Sequence, residues 1–286
     1  MSGEANDGID SPSGGHLTIE TAIANLRGED RGLRMYAAWW LGKFRVNEPE
    51  AIESLMVALE DESDRTEAGG YPLRRNAARA LGKLRHPSVP NMAVPSLIKS
   101  LECSDFYVRE AAAQSLEQLG DPSAIPVLMR LLNNEVPGTL PSPVDSDLVQ
   151  PYDAILEALG ELHSTTAPFD SSEVQRAFTK FLDHPIERVR YSAARALYQL
   201  TQDRQYGDLL VKALAGHNLS LRRSALADLS AIGYLAAADA IAQTLAENSL
   251  KLIALKGLLE HQVKQTPLPE LSDGAVHVMT LMDSLL

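Results

Sequence analysis

Three kinds of side chain in this sequence could act together on a ligand. Trp39 and Trp40, the only tryptophans, stand side by side in "RMYAAWWLGKF", and Tyr36 lies one helical turn before Trp39. Asp153 and Glu157 are spaced i, i+4, which puts both carboxylates on one helix face. Arg79 and Arg195 occupy matching places in two other helical stretches, and Tyr71 and Tyr107 precede theirs. Arg74, Arg109 and Tyr152 complete the candidate set. Aromatic plates, guanidinium forks and carboxylates suit a flat, conjugated ligand that carries acidic groups. Rings stack on indole and phenol, guanidinium pairs with carboxylate, and a carboxylate accepts N–H bonds. Each of these residues alone also fits an ordinary solvated charge or rim contact.

The elements that must position these groups repeat along the chain. "LRMYAAWWLGKF" begins at Leu33, "LRRNAARALGKL" at Leu73, "VREAAAQSLEQLGD" at Val108 and "YDAILEALGEL" at Tyr152. "VRYSAARALYQL" begins at Val189, "LRRSALADLSAIG" at Leu221 and the degraded "LKLIALKGLL" at Leu250. Apolar residues recur three or four apart in each, as in Val108, Ala112, Leu116 and Leu119, so each copy is a helix. Second helical segments, "AIESLMVAL", "AVPSLIKSL" and "AIPVLMRLL", lie between the copies. Pro95 and Pro126 are read as first-turn prolines, and Gly120 as a helix C-cap. Helix pairs recurring at this interval predict an all-α fold, a right-handed α-solenoid spanning residues 17–265. Residues 1–16 read as a disordered tail, and residues 266–286 as a closing segment with a capping helix.

Alignment of the copies sorts their columns. Positions matching Leu33, Ala37, Leu41 and Phe44 are apolar nearly throughout, which predicts the buried stripe. Trp40 falls where other copies carry Ala80, Ala158 and Ala196, beside that stripe. Trp39 falls among Arg79, Gln114, Glu157 and Arg195, a polar column that faces solvent, so its indole is expected to be open to a partner. An arginine recurs as Arg34, Arg74, Arg109, Arg190 and Arg222, and a residue kept in nearly every unit speaks for architecture: bonds to neighbouring loop carbonyls or carboxylates. "EDESDRTEAGGYP" and "NNEVPGTLPSPVDSDLVQP" lengthen two connections and read as loops.

Several classes are disfavoured. A net charge of −12 argues against a nucleic acid or anionic membrane partner, and no apolar run spans a bilayer. The single cysteine, Cys103, permits no intramolecular disulfide and reads as structural. No phosphate-binding glycine loop, nucleophile elbow or zinc-helix motif appears. The seven histidines are scattered without a His-Glu pair, unlike the HEAT-type di-iron hydroxylases.

The repeats resemble the HEAT type, in which the V-R-x-x-A-A helix lines the concave surface. More specifically, "YAAWWLG", "ALEDESDRTEAGGYPLRRNAARALGKL", "LECSDFYVREAAAQSLEQLGD" and "AENSLKLIALKGL" resemble the E subunits of the heterodimeric E/F-type phycobilin lyases, from about Leu17 to about Glu260. Met35 departs from the family motif, which usually has a second aromatic before the tyrosine.

The resemblance implies a subunit that works with an F-type partner in the cyanobacterial cytoplasm. The pair holds a substrate bilin, phycocyanobilin or a relative, and attaches it by a thioether bond to a cysteine of the apo-phycocyanin α subunit, with no metal or other cofactor. On that reading Tyr36 and Trp39 stack on the rings, and Arg79 or Arg195 pairs with propionates. Asp153 or Glu157 accepts pyrrole N–H bonds and favours the protonated, more electrophilic chromophore. A subunit of a lyase-isomerase and a HEAT adaptor without a ligand are the alternatives.

Overall fold

The computed structural model describes residues 17–133, 150–165, 171–265 and 271–286, and every regular element among them is helical. The tail, most of the second long connection and the "TPLPE" segment lie outside the described residues. The chain forms two compact units, which divide between residues 127 and 128 and again between residues 151 and 152.

The first unit is built from α1 (Ile19–Arg27), α2 (Arg31–Lys43), α3 (Pro49–Leu59), α4 (Pro72–Lys83), α5 (Val89–Ser100) and α6 (Phe106–Leu119); α7 (Ile125–Asn133) crosses the boundary. Helices α2, α4 and α6 pack side by side in one row, and α1, α3 and α5 back onto it. Starts are set by side chains that accept from the first free N–H groups. Thr18 caps α1, Asp30 accepts from the Leu33 N–H at 2.8 Å, and Asp105 from the Tyr107 N–H at 2.8 Å. The first long connection is tied down: buried Asp64 accepts from the Leu73 N–H at 2.7 Å, which caps α4 from outside it.

The second unit repeats the plan. Helices α8 (Tyr152–Thr165), α10 (Glu187–Thr201), α12 (Leu219–Ile232) and α14 (Asn248–Gln265) form its row. Helices α9 (Ser171–Thr179), α11 (Arg204–Leu214), α13 (Ala238–Gln243) and α15 (Asp273–Asp283) back onto it. Asn218 caps α12 and Ser272 caps α15, which packs on α13 and α14. Leu210, Leu226, Leu229, Ile241, Leu255 and Leu258 form part of its core.

Alanine makes the rows close. Ala37, Ala38, Ala77, Ala78, Ala112 and Ala113 are fully buried, so neighbouring row helices meet nearly backbone to backbone. A Cβ on Gly42 would stand 2.6 Å from the Ala80 Cα, so the α2–α4 contact admits no side chain there. Gly120 ends α6 at φ 70°, the left-handed cap its position predicts.

Two local expectations are corrected. Pro95 lies inside α5: that helix begins at Val89, with Pro90 in the first turn, six residues earlier than Pro95 alone suggests. The apolar stripe is also not buried throughout in α2. Ala37 and Leu41 are, but Leu33 is 42% and Phe44 43% exposed. Leu73 and Val108, the counterparts of Leu33, are buried in helices with a row helix ahead of them, whereas among the described residues no row helix precedes α2.

Candidate functional site

On α2, Trp39 is 40% exposed, as its polar column predicts. The Tyr36 ring lies 5.5 Å from it, tilted by 30°, so two aromatic plates stand together on an open helix face. Trp40 is half-buried against Phe44, with ring centroids 4.7 Å apart. Arg79 holds the position of Trp39 on the neighbouring helix α4; its side chain is well exposed and bonds Glu110 at 3.4 Å. Tyr107, at the start of α6, is 56% exposed and meets Phe106 edge to face.

Other candidates are committed elsewhere. Arg74 donates to the carbonyls of Asp61 at 2.6 Å and Glu60 at 3.0 Å, and lies over the Tyr71 ring at 4.4 Å. Arg109, 2% exposed, donates to the carbonyls of Cys103 at 2.5 Å and Ser104 at 3.0 Å. The rest of the column does the same. Arg34 reaches the Leu26 carbonyl, Arg190 that of His184, Arg222 that of Gly216 and Lys251 that of Ala242. Each cation thus satisfies carbonyls at the C-terminal end of the preceding backing helix or in the connection just beyond it, where acceptors lack backbone partners. Arg74 and Arg109 therefore belong to the architecture and not to a ligand surface. Tyr71 is corrected with them: it is buried under Arg74, and its N–H bonds Asp105 at 2.6 Å. Tyr152 is half-buried and packs on Phe181 at 5.3 Å and on His184 at 6.0 Å.

The second unit gathers charges that the sequence reading kept apart. Glu157 on α8 is bonded by Arg188, by Ser192 Oγ at 2.7 Å and by Arg195 Nη1 at 3.1 Å, all on α10. Asp228 on α12 accepts from Arg188 at 2.5 Å and from Arg195 at 3.5 Å. Asp153 stands 3.9 Å from Arg188 Nε. Three row helices are thereby cross-linked by ions. Arg195 is only 8% exposed and pairs with protein carboxylates, which corrects the expectation of a solvent-facing group free for a propionate.

Burial pushes the Glu157 carboxyl up to about 7; Arg188 and Arg195 pull it down, and the Asp228 charge pushes it further up. Burial opposes the charge on Arg188, but Asp228, Glu157 and Asp153 outweigh it and hold its pKa above the ordinary value.

The PBS lyase HEAT-like repeat pattern matches residues 33–61 and 189–216, and the HEAT repeat pattern residues 67–140. The phycocyanobilin lyase subunit alpha of Microchaete diplosiphon is 63% identical over 275 residues, covering 94% of this chain and 90% of that protein. The chain belongs to the phycocyanobilin lyase alpha subunits. A second member of that family, from Nostoc sp., is 59% identical over 96% of both chains. The Nostoc bilin biosynthesis protein PecE is 44% identical over 85% of this chain and 87% of its own length. A chain in the solved complex of CpcE and CpcF of phycocyanin lyase from Nostoc sp. PCC7120 superposes with a TM-score of 0.82 at 56% identity, covering 99% of this chain and 100% of that one.

In this phycocyanobilin lyase alpha subunit, Arg188, Ser192 and Asp228 belong to the ion cluster, and sequence reasoning did not single them out. A signal existed for Asp228. It falls in the column of Ala80, Ser115, Ala158 and Ala196, all buried small residues, and a carboxylate in such a column must find partners. Arg188 precedes the repeat motif, where other copies carry Gly32, Pro72 and Ser220. Among the described residues, no helix is long and apolar enough to cross a membrane.

Proposed function

We propose that this chain is the E-type half of a heterodimeric phycobilin lyase: with an F-type subunit it holds an open-chain tetrapyrrole and delivers it to a cysteine of the phycocyanin α subunit. The observation that carries this reading is 63% identity along 94% of the chain to a phycocyanobilin lyase subunit, in a chain that leaves Trp39 exposed beside a half-buried Tyr36. Trp39 and Tyr36 supply ring-stacking faces, and Arg79 a guanidinium for a propionate. Asp153 or Glu157 supplies a carboxyl oxygen for the pyrrole N–H groups and favours the protonated chromophore. The nucleophile is the substrate's own thiol, so the chain contributes orientation and a proton environment and takes no metal or other cofactor into the step. The reaction belongs in the cytoplasm, where the phycocyanin subunits stay reduced.

Co-expression with an F-type subunit, apo-phycocyanin α and a source of phycocyanobilin tests the reading. A denatured product that fluoresces with zinc is expected; its absence overturns the lyase function, and an altered product colour indicates an isomerising enzyme. The double variant Tyr36→Ala, Trp39→Ala should lose bilin retention by the heterodimer and keep its helical circular dichroism. Undiminished retention removes the stacking role.

A further inference from the structure

The ion cluster on α8, α10 and α12 supports an inference that rests on the tetrapyrrole reading. Asp153, Glu157 and Asp228 converge on two guanidiniums, Arg188 and Arg195. Glu161, one turn further along α8, is bonded by Gln199 at 2.9 Å. With Asp153, Glu157, Asp228 and the two guanidiniums all ionised, this group of five holds one negative charge in excess, in a place with little water. A single proton balances it. Asp228 is buried and bonded by both arginines, whereas Asp153 is the most solvated of the three and the most distant from its cation. Glu157 lies between these extremes, shielded from solvent yet at the helix surface, and burial with the Asp228 charge favours its protonated form.

We propose that Asp228 keeps one exchangeable proton on Glu157 while Arg188 holds that carboxyl in place, which makes Glu157 the acid that protonates the bound tetrapyrrole as the thiol adds. The step balances without a co-reactant. The substrate's sulfur forms a bond to the ethylidene carbon, and the exocyclic π bond breaks. Its electron pair moves into the conjugated ring system, which takes the proton from Glu157. The thiol's proton returns to Glu157, so the sum is addition of S–H across the double bond. Arg188 fixes the carboxyl by holding Glu157 and Asp228 at once. Ser192, which donates to Glu157 Oε1 at 2.7 Å, favours the ionised form and so limits how far the proton is retained.

The test uses the heterodimer with its F-type subunit. Infrared difference spectra should show a protonated carboxyl stretch that disappears as pH rises through about 7, and Glu157→Gln should abolish it. Asp228→Asn should move that transition to lower pH by about one unit and shift the pH profile of bilin attachment equally. Ser192→Ala should move both to higher pH, and serves if Asp228→Asn loses its helical circular dichroism. Attachment by Glu157→Gln should fall roughly 100-fold at neutral pH with bilin retention kept, and Arg188→Lys should recover more activity than Arg188→Gln. A band unaffected by Glu157→Gln, or attachment profiles that stay fixed in Asp228→Asn and Ser192→Ala, overturn the proposal. The two readings separate cleanly. A titrating band in a heterodimer that takes up no bilin refutes the tetrapyrrole reading and with it the catalytic use of the proton. Normal attachment without the band refutes the proton-holding role alone.

Discussion

Adjacent tryptophans on one helix have different surroundings because 100° of rotation separates them. Trp40 turns toward Phe44 and is partly covered, whereas Trp39 turns into the polar column and stays open. The same rotation puts Glu157 in that column, yet Glu157 is shielded, because Arg188 and Arg195 close over it. This has a consequence for stability. Its carboxyl pKa is raised from 4.5 to about 7 in the fold, so the folded state holds this proton more tightly than the unfolded chain. The stabilisation is full below about 4.5 and is lost as pH rises through about 7. The melting temperature of the native chain minus that of Glu157→Gln should therefore fall by several degrees between pH 5 and pH 8, on the order expected for ~1–2 kcal/mol. A flat difference across that range contradicts the shift.

At the scale of the helix, a cation near the start of every row element except α8, where Tyr152 stands, fastens the end of the backing helix before it or the chain just beyond that end. Arg109 and Arg79 make the contrast measurable. Arg109→Ala strips a buried donor from the Cys103 and Ser104 carbonyls and should cost about 1–3 kcal/mol in chemical denaturation. Arg79→Ala removes an exposed group with one long bond and should stay within about 0.5 kcal/mol of the native chain. Equal effects would show that the column does not carry the architecture. Recurrence in the sequence exposed this column, since a residue repeated in nearly every unit serves the unit. Tyr71 was less legible: a tyrosine just before a helix reads as a rim residue, but the Arg74 guanidinium, held by the Asp61 and Glu60 carbonyls, lies over its ring.

Across the molecule, each row helix is packed chiefly by its neighbours in the stack, so damage should stay local. Gly42→Ala forces α2 and α4 apart, because the new Cβ meets the Ala80 backbone, and should cost about 1–3 kcal/mol. Hydrogen exchange should accelerate in α2 and α4 and remain unchanged in α12 and α14. Uniform acceleration would mean that the chain unfolds as one cooperative body.

By itself the sequence determined the helical repeats, the column of architectural cations and the exposure of Trp39, because periodicity and recurrence are properties of position along the chain. The tertiary structure decided the rest. Asp153, Glu157, Arg188, Arg195 and Asp228 lie on three helices up to 75 residues apart, and their charges meet only when those helices pack in one row. Electrostatic partnership depends on distance through space, which the order of residues does not contain, and so the ion cluster became visible only in the fold.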